Sequence, residues 1–268
     1  DVYKRQVDTW VAANDDFDHA GISIEELQER LLELGSERPP FESFVTSEWL
    51  IGWYSRFALG KFVDQTSATC SFDSPEFSAA LQMCKDWGQS GGTETLGQRC
   101  VLEFENIQDI IRIGTIGELY HDNYCYVGFP TSSGNGSMFE LLSCFAISAQ
   151  GDKQEAAWEF IRFALGNLQP DGLLGVGIPA SQSALDERLQ FLIETGQTFL
   201  EFTHKIKPSD ADAFRALIEN TSMVENSEQG ILKIITDESA SFFAGSKTAS
   251  EAAALIQNRV QLYLMENR

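Results

Sequence analysis

The chain has 268 residues, 43% of them hydrophobic, enough to bury a sizeable core in one or two domains and to exclude a mainly disordered state. Nineteen Lys plus Arg against forty Asp plus Glu give a net charge of −21. Such a surface repels phosphate backbones and anionic lipid headgroups, which excludes nucleic acid as a partner and membrane binding through basic patches. No apolar run reaches the roughly 18 residues of a transmembrane helix.

The opening "DVYKRQVDTW" has no initiator Met, no apolar signal region and no small-residue cleavage site, so the chain is expected to be a fragment lacking its N-terminal part. Its first six residues are given no structural weight, and residues 1–19 read as a leader or hinge remnant. Ser23 and Glu26 make an S-x-x-E capping box ahead of Ile24, Leu27, Leu31 and Leu34, with Gly35 as the stop. Two prolines in "ERPPFESF" interrupt the pattern. Phe44, Trp49, Trp53 and Phe57 then fall on one helical face. Ser74, Pro75 and Gly88 bracket a helix over 75–87.

Val101, Glu103 and Glu105 alternate with Leu102 and Phe104, and "IQDIIRIG" is open between helix and strand. The short apolar runs at 124–130 and 144–148 read as buried strands of one sheet. A turn-rich connection separates them. Asp152 and Glu155 repeat the capping-box spacing before Ala157, Phe160, Ile161 and Ala164, which predicts a helix over 153–165. Further helices are expected in "ALDERLQFLIET", in "DADAFRALIEN" and around Ile231, Ile234 and Ile235. Ser250 is expected to open a last helix through Ala253, Ile256, Val260 and Leu264. The predicted architecture is an α/β lobe whose sheet is flanked by the helices at 75–87, 153–165 and 250–264.

Cysteines at 70, 84, 100, 125 and 144 form no C-x-x-C, and with three histidines in the chain neither a zinc site nor a disulfide framework is signalled. They read as small buried hydrophobes and leave the redox compartment open. No phosphate-binding, metalloprotease, serine-hydrolase or kinase motif occurs, and no cofactor is expected. "GLLGVG" at 172–177 follows no strand and is not read as a dinucleotide fingerprint. Glu103 and Glu105 share a strand face, the arrangement of a carboxylate pair for glycoside chemistry, but in so acidic a chain they read as solvated neighbours. The remaining signal is a set of aromatics in polar company. Phe44, Trp49, Trp53, Tyr120 and Phe139 lie among Glu42, Glu48, Glu118, Asp122 and Asn123. An aromatic face suits the C–H side of a pyranose, and carboxylates and amides suit its hydroxyls. For Trp49 and Trp53, four apart on a helix, the alternative is a place in the core.

Five segments occur in a fixed order: "SATCSFDSPEFSAALQMCKDWG", "YVGFPTSSGNG", "CFAISAQGDKQEAAWEFIRFAL", "GIPASQSALDE" and "SEAAALIQNRVQLYLMEN". Together they resemble the C-terminal two-thirds of an extracellular solute-binding protein of family 1, the maltose-binding-protein-like receptors of ABC importers. The resemblance implies a periplasmic-binding-protein-like class II α/β fold, mainly the C-terminal lobe with a remnant of the N-terminal lobe. It implies a C-terminal lobe of 20–165 and 226–268, with 166–225 belonging to the N-terminal lobe. In that family two lobes close on a solute by a hinge motion.

By the same resemblance the protein is a non-enzymatic receptor for a carbohydrate, delivering it to the permease subunits of an ABC transporter. Its location would be extracytoplasmic, as a periplasmic protein or a Gram-positive cell-surface lipoprotein anchored through the missing N-terminal part. The alternatives are a non-sugar solute, such as a peptide, polyamine or polyol phosphate, and a glycoside-acting enzyme. In "ESFVTSEWLIGWY", Glu42 and Phe44 match a Glu-x-aromatic contact of maltose-binding-like members, with Trp49 and Trp53 just beyond. In "IGELYHDN", Tyr120 matches an aromatic platform, with Glu118 as polar neighbour. Phe139 completes the candidate ligand set. Trp53 and Tyr120 are expected on a concave surface open to solvent. Leu173, Leu174, Val176, Leu189, Phe191, Leu192 and Phe199 are expected to lack their N-terminal-lobe cover, leaving an apolar patch and weak solute binding.

Overall fold

The computed structural model describes residues 2–35, 38–88, 100–131, 136–166, 177–199, 202–224 and 228–267. In chain order the elements are β1 (Val2–Ala13), α1 (Ile24–Leu34), α2 (Ser47–Phe62), β2 (Val63–Asp64), β3 (Thr69–Cys70), α3 (Pro75–Trp87) and β4 (Glu103–Ile107). Then follow α4 (Ile111–Leu119), β5 (Tyr124–Tyr126), β6 (Met138–Cys144), α5 (Gln154–Gly166), β7 (Ile178–Pro179), α6 (Gln182–Glu194), β8 (Gln197–Phe199) and β9 (Phe202–His204). The last are α7 (Pro208–Asn220), β10 (Met223–Val224), α8 (Gln229–Phe243) and α9 (Ala249–Glu266). The fold is α/β with a mixed sheet, and the chain divides into two compact units.

The first unit comprises Asp1–Leu27 and Phe104–Glu225. Its sheet runs β10-β6-β1-β4, with β5 and β7 also pairing with β1. β1 is antiparallel to β6, with Val7 opposite Phe139 and Asp8 opposite Met138, and β10 joins β6 in parallel. The residues given no structural weight on sequence grounds are thus the middle of the sheet. β1 is buried on both faces: Val7 and Val11 enter one core, while Trp10 on the other face packs against Phe104 and Phe129 at 5.0 and 5.1 Å. The first core is closed by Ile113 and Ile116 of α4, Leu185, Leu189 and Leu192 of α6, and Phe214 and Leu217 of α7.

Leu189 and Leu192, expected to lack cover, are therefore fully buried. They pack within their own unit. Leu173, Leu174 and Val176, like "GLLGVG" before Gly177, lie outside the described residues.

The second unit comprises Gln28–Glu103 and Asn226–Arg268, and its regular structure among the described residues is helical apart from the β2–β3 hairpin. α2 packs on α3 and α8, and α8 on α9. Phe62, Phe72 and Phe77 form a ring cluster with centroids 4.9 to 5.5 Å apart. α9 holds the hairpin through side chains: Gln257 Oε1 accepts from Phe72 N at 2.6 Å, and Gln261 Nε2 donates to Ala68 O at 2.8 Å. The caps of α1 and α3 follow the sequence signals. Glu26 N donates to Ser23 Oγ at 3.0 Å, and Phe77 N to Ser74 Oγ at 3.3 Å. Gly88 is required by close approach, since a Cβ there would stand 2.4 Å from Ser47 N.

Several expectations are corrected. α9 is opened by Thr248, whose hydroxyl accepts from Glu251 N at 3.2 Å while Glu251 receives Thr248 N, rather than by Ser250. The T-x-x-E spacing is present in the sequence two residues earlier. The second strand is 138–144 and not 144–148; residues 145–148 lie outside the sheet. The helices at 75–87 and 249–266 belong to the second unit, whereas the strands at 124–126 and 138–144 belong to the first. Residues 104–225 fall in one compact unit with 1–27, and residues 28–103 in the other with 226–268. Hydrophobic spacing identifies a helix but not the body it packs on. Of the cysteines, Cys84 and Cys100 are buried as expected, whereas Cys144 is exposed.

Candidate functional site

In the second unit a groove of about 390 Å³ runs between α2 and α8. Thr46 starts α2 by accepting from Trp49 N at 3.2 Å, and this fixes the phase of the whole helix. Trp49, Trp53 and Phe57 then recur at i, i+4 and i+8 and stack along it. Trp49 and Trp53 lie 5.3 Å apart at 29°, and Trp53 and Phe57 5.9 Å apart at 30°. Half-exposed Phe44 meets Trp49 edge-on at 5.9 Å and 78°. Arg56 lies over the Trp53 ring at 5.4 Å, a cation–π distance.

α8 supplies the opposite wall through Gln229, Leu232, Lys233, Thr236 and Asp237, which share one helical face. Lys233 Nζ and Asp237 Oδ2 pair at 2.9 Å in solvent. With Glu48 on the other rim the groove carries two carboxylates and two cations around an indole floor. Its lining is neutral in sum although the protein is strongly acidic. Gly52 lies on the groove side of α2, and a Cβ at that position would meet nothing within 4 Å. A glycine in mid-helix is destabilising by roughly 0.5–1 kcal/mol relative to alanine, so this open space has an energetic cost.

The candidate residues distribute as follows. Trp49 and Trp53 are brought together in the groove, and Phe44 adjoins Trp49. Trp53 is buried while one side of it faces the groove, so core and lining roles coincide. Glu42 lies in the preceding turn, where its carbonyl accepts from Val45 N at 3.0 Å. Its carboxylate stands near Cys100, whose thiol is pushed up chiefly by burial and secondarily by Glu42 and Glu103. Glu118 is exposed on α4 of the first unit.

Tyr120 and Phe139 are not on an open surface. Both belong to the buried core of the first unit, 6% and 5% exposed. Tyr120 closes the C-terminal end of α4 and its hydroxyl donates to Val11 O at 3.4 Å; Phe139 faces Val7 across the β1–β6 ladder, with the Arg5 guanidinium 4.1 Å over its ring. An inward place in a strand or cap decides these two, and local composition does not reveal it. Conversely, Arg56, Lys233 and Asp237 were missed. Their i, i+4 and i, i+8 spacing relative to the groove residues was the available signal.

The first unit has polar features of its own. Gln6 and Asp8, both nearly sealed, alternate with Val7 on β1; Asn106 Nδ2 donates to Asp8 Oδ1 at 2.5 Å, and Gln6 Nε2 donates to Glu140. Arg112 grips the buried Glu105 with two bonds of 2.9 and 2.6 Å, so Glu105 is a structural anion and not a solvated one. A second recess, about 190 Å³, is lined by Tyr124, Tyr126, Cys125, Leu217 and Asn220, with His19 at its rim. Burial raises both tyrosine hydroxyls well above their ordinary range and pushes the Cys125 thiol up to about 12. These groups are held neutral and are poor nucleophiles.

No family model matches the chain, and no curated protein matches it. Solved structures do. It is similar to the sugar-binding protein MalE from Xanthomonas citri with a TM-score of 0.60 and 12% identity, covering 99% of this chain and 70% of that one. An ABC substrate-binding protein from Listeria monocytogenes in complex with cycloalternan gives 0.56 and 13%, over 98% and 71%. An ABC transporter solute-binding protein from Thermotoga lettingae bound with alpha-D-tagatose gives 0.52 and 14%, also over 98% and 71%. The fold is accordingly that of the solute-binding proteins of ABC transporters.

Proposed function

We propose that the protein is an extracytoplasmic receptor of an ABC importer that binds a carbohydrate and carries it to the permease. The observation that supports this most is the stacked Trp49–Trp53 pair in a groove rimmed by Glu48, Arg56, Lys233 and Asp237. Indole faces cover the C–H side of a pyranose, and the charged rim donates to and accepts from its hydroxyls. A lining neutral in sum favours an uncharged sugar over a polyamine or a polyol phosphate. Glu42 and Phe44 extend the proposed site at the N-terminal end of α2. Tyr120 and Phe139, being core residues, are left out of it. The chemistry proposed is binding without turnover. Its steps are desolvation of the groove, stacking, and exchange of water for side-chain hydrogen bonds.

The test is a thermal-shift panel of mono- and oligosaccharides, with spermidine, short peptides and glycerol phosphate as the other arms. A ligand that binds only the folded state raises the midpoint by mass action. A rise with one or more neutral sugars, abolished by Trp49→Ala, is expected. A rise only with spermidine, peptide or glycerol phosphate would replace the carbohydrate reading, and release of product from a glycoside panel would replace the receptor reading.

A further inference from the structure

The recess of about 190 Å³ in the first unit is walled by a strand and a helix: Tyr124 and Tyr126 of β5 on one side, Ala213 and Ala216 of α7 on the other. The two tyrosines are two apart on a strand and so project from one face of the sheet, their rings edge-on at 5.5 Å. The two alanines leave open the width that larger side chains on α7 would fill. Ala216 is exposed, so the slot reaches solvent along the helix. Its volume somewhat exceeds the roughly 150 Å³ of an apolar cavity that takes benzene. The slot also carries a hydroxyl that the fold does not use. Tyr126 is 5% exposed, and among the described residues no hydrogen bond of ordinary geometry reaches its hydroxyl. Its polar neighbour is Tyr124, whose own hydrogen is committed to Oδ1 of the buried Asp210 at 3.2 Å. A buried hydroxyl left unpaired is costly, and a guest that supplies an acceptor recovers that cost.

We propose that this slot binds a small neutral aromatic compound with one oxygen acceptor, of the size of phenol, its ring between β5 and α7 and its oxygen accepting from the Tyr126 hydroxyl. Tyrosine rings and alanine methyls suit a flat apolar ring. An ammonium compound is disfavoured because it brings donors only and leaves the Tyr126 hydrogen unpaired. An anion is disfavoured because no Lys or Arg lines the recess among the described residues, and His19 at the rim already faces Asp18 and Glu26 at 3.0 and 3.3 Å. Burial keeps both tyrosines in the neutral, donating form. A sugar would turn hydroxyls toward Ala213, Ala216 and Leu217, whose side chains offer them no partner. The inference concerns the first unit alone and is independent of what the groove of the second unit binds.

The experiment titrates phenol into the protein by ligand-observed NMR, with toluene, benzoate, benzylamine and glucose as the other arms. Phenol should bind with a Kd of about 1 mM or tighter, and each of the others at least about tenfold more weakly. Tyr126→Phe removes the hydroxyl and keeps the ring. It should weaken phenol about tenfold, while the melting midpoint of the free protein stays within about 2 °C of its parent or rises, because no internal partner is lost. Ala216→Leu, at an exposed helical position, should close the slot and abolish binding in a protein that remains folded. No binding of phenol at about 10 mM would overturn the proposal. So would toluene or glucose binding as tightly as phenol, unchanged phenol affinity in either variant, or loss of phenol binding in Trp49→Ala, which would put the ring in the groove of the second unit. A midpoint lowered by more than about 5 °C in Tyr126→Phe would also overturn it, because the hydroxyl would then be bonded within the fold.

Discussion

α9 and α5 were equally legible as sequence and differ completely in what they do with their apolar residues. Both follow capping-box spacings and both carry helical periodicity. α9 buries Ala252, Ala253, Ile256 and Val260 fully against α8 and α3, whereas α5 leaves Trp158 44% and Phe160 64% exposed. Caps and spacing specify that a helix forms and which residues share a face. Whether that face is sealed depends on a surface elsewhere in the protein, which local pattern does not report.

The comparison breaks most readily at Ile256. Ile256→Ala removes a fully buried side chain and should lower stability by about 2–4 kcal/mol in chemical denaturation, while Phe160→Ser, at a position 64% exposed, should cost no more than about 1 kcal/mol. Similar losses at the two positions would mean that α5 is packed after all. A smaller effect sharpens the account of how α9 starts. Thr248→Ala should lose about 1 kcal/mol, and Ser250→Ala close to nothing, because the cap bonds run between Thr248 and Glu251.

Gly52 gives a change of opposite sign. Gly52→Ala adds a methyl into open space and improves helix propensity, so it should raise stability by about 0.5–1 kcal/mol while weakening the solute bound in the groove. A gain in stability with unchanged affinity would leave the groove without a ligand. The smallest effect expected is at His19, whose pKa is raised first by its hydrogen bond to Asp18 and further by Glu26. A raised value contributes stability that is complete below the ordinary histidine range and is lost as pH climbs through the raised pKa. The side chain is half-exposed, so the slope should be slight. Proton NMR of the ring should show the upward shift, and Asp18→Asn should reverse most of it.

Much of the fold was readable because its signals are local. Ser74, Pro75 and Gly88 bracket α3, and the helix expected in "DADAFRALIEN" is α7. What failed was long-range. β1 was discounted because its opening looks unlike a natural start, yet pairing with β4, β5, β6 and β7 makes it the strand on which the sheet is built. Residues 145–148 have strand composition, and among the described residues no sheet neighbour pairs with them. The candidate groove was half legible: Trp49 and Trp53, singled out by their spacing and chemistry, both line it, and the α8 wall was missed because its polar face was read only for its apolar complement. Tyr120 shows the opposite error, in which a polar neighbourhood in sequence accompanies a side chain turned into the core.

The central claim is that the Trp49–Trp53 groove of the second unit holds a sugar. Isothermal titration of the sugar selected by the thermal-shift panel, into the parent and into Trp49→Ala, tests it most directly. Loss of an indole stacking face should weaken binding at least about tenfold, with the denaturation midpoint changed little because Trp49 is only partly buried. Equal affinities in the two proteins would place the sugar elsewhere and contradict the account.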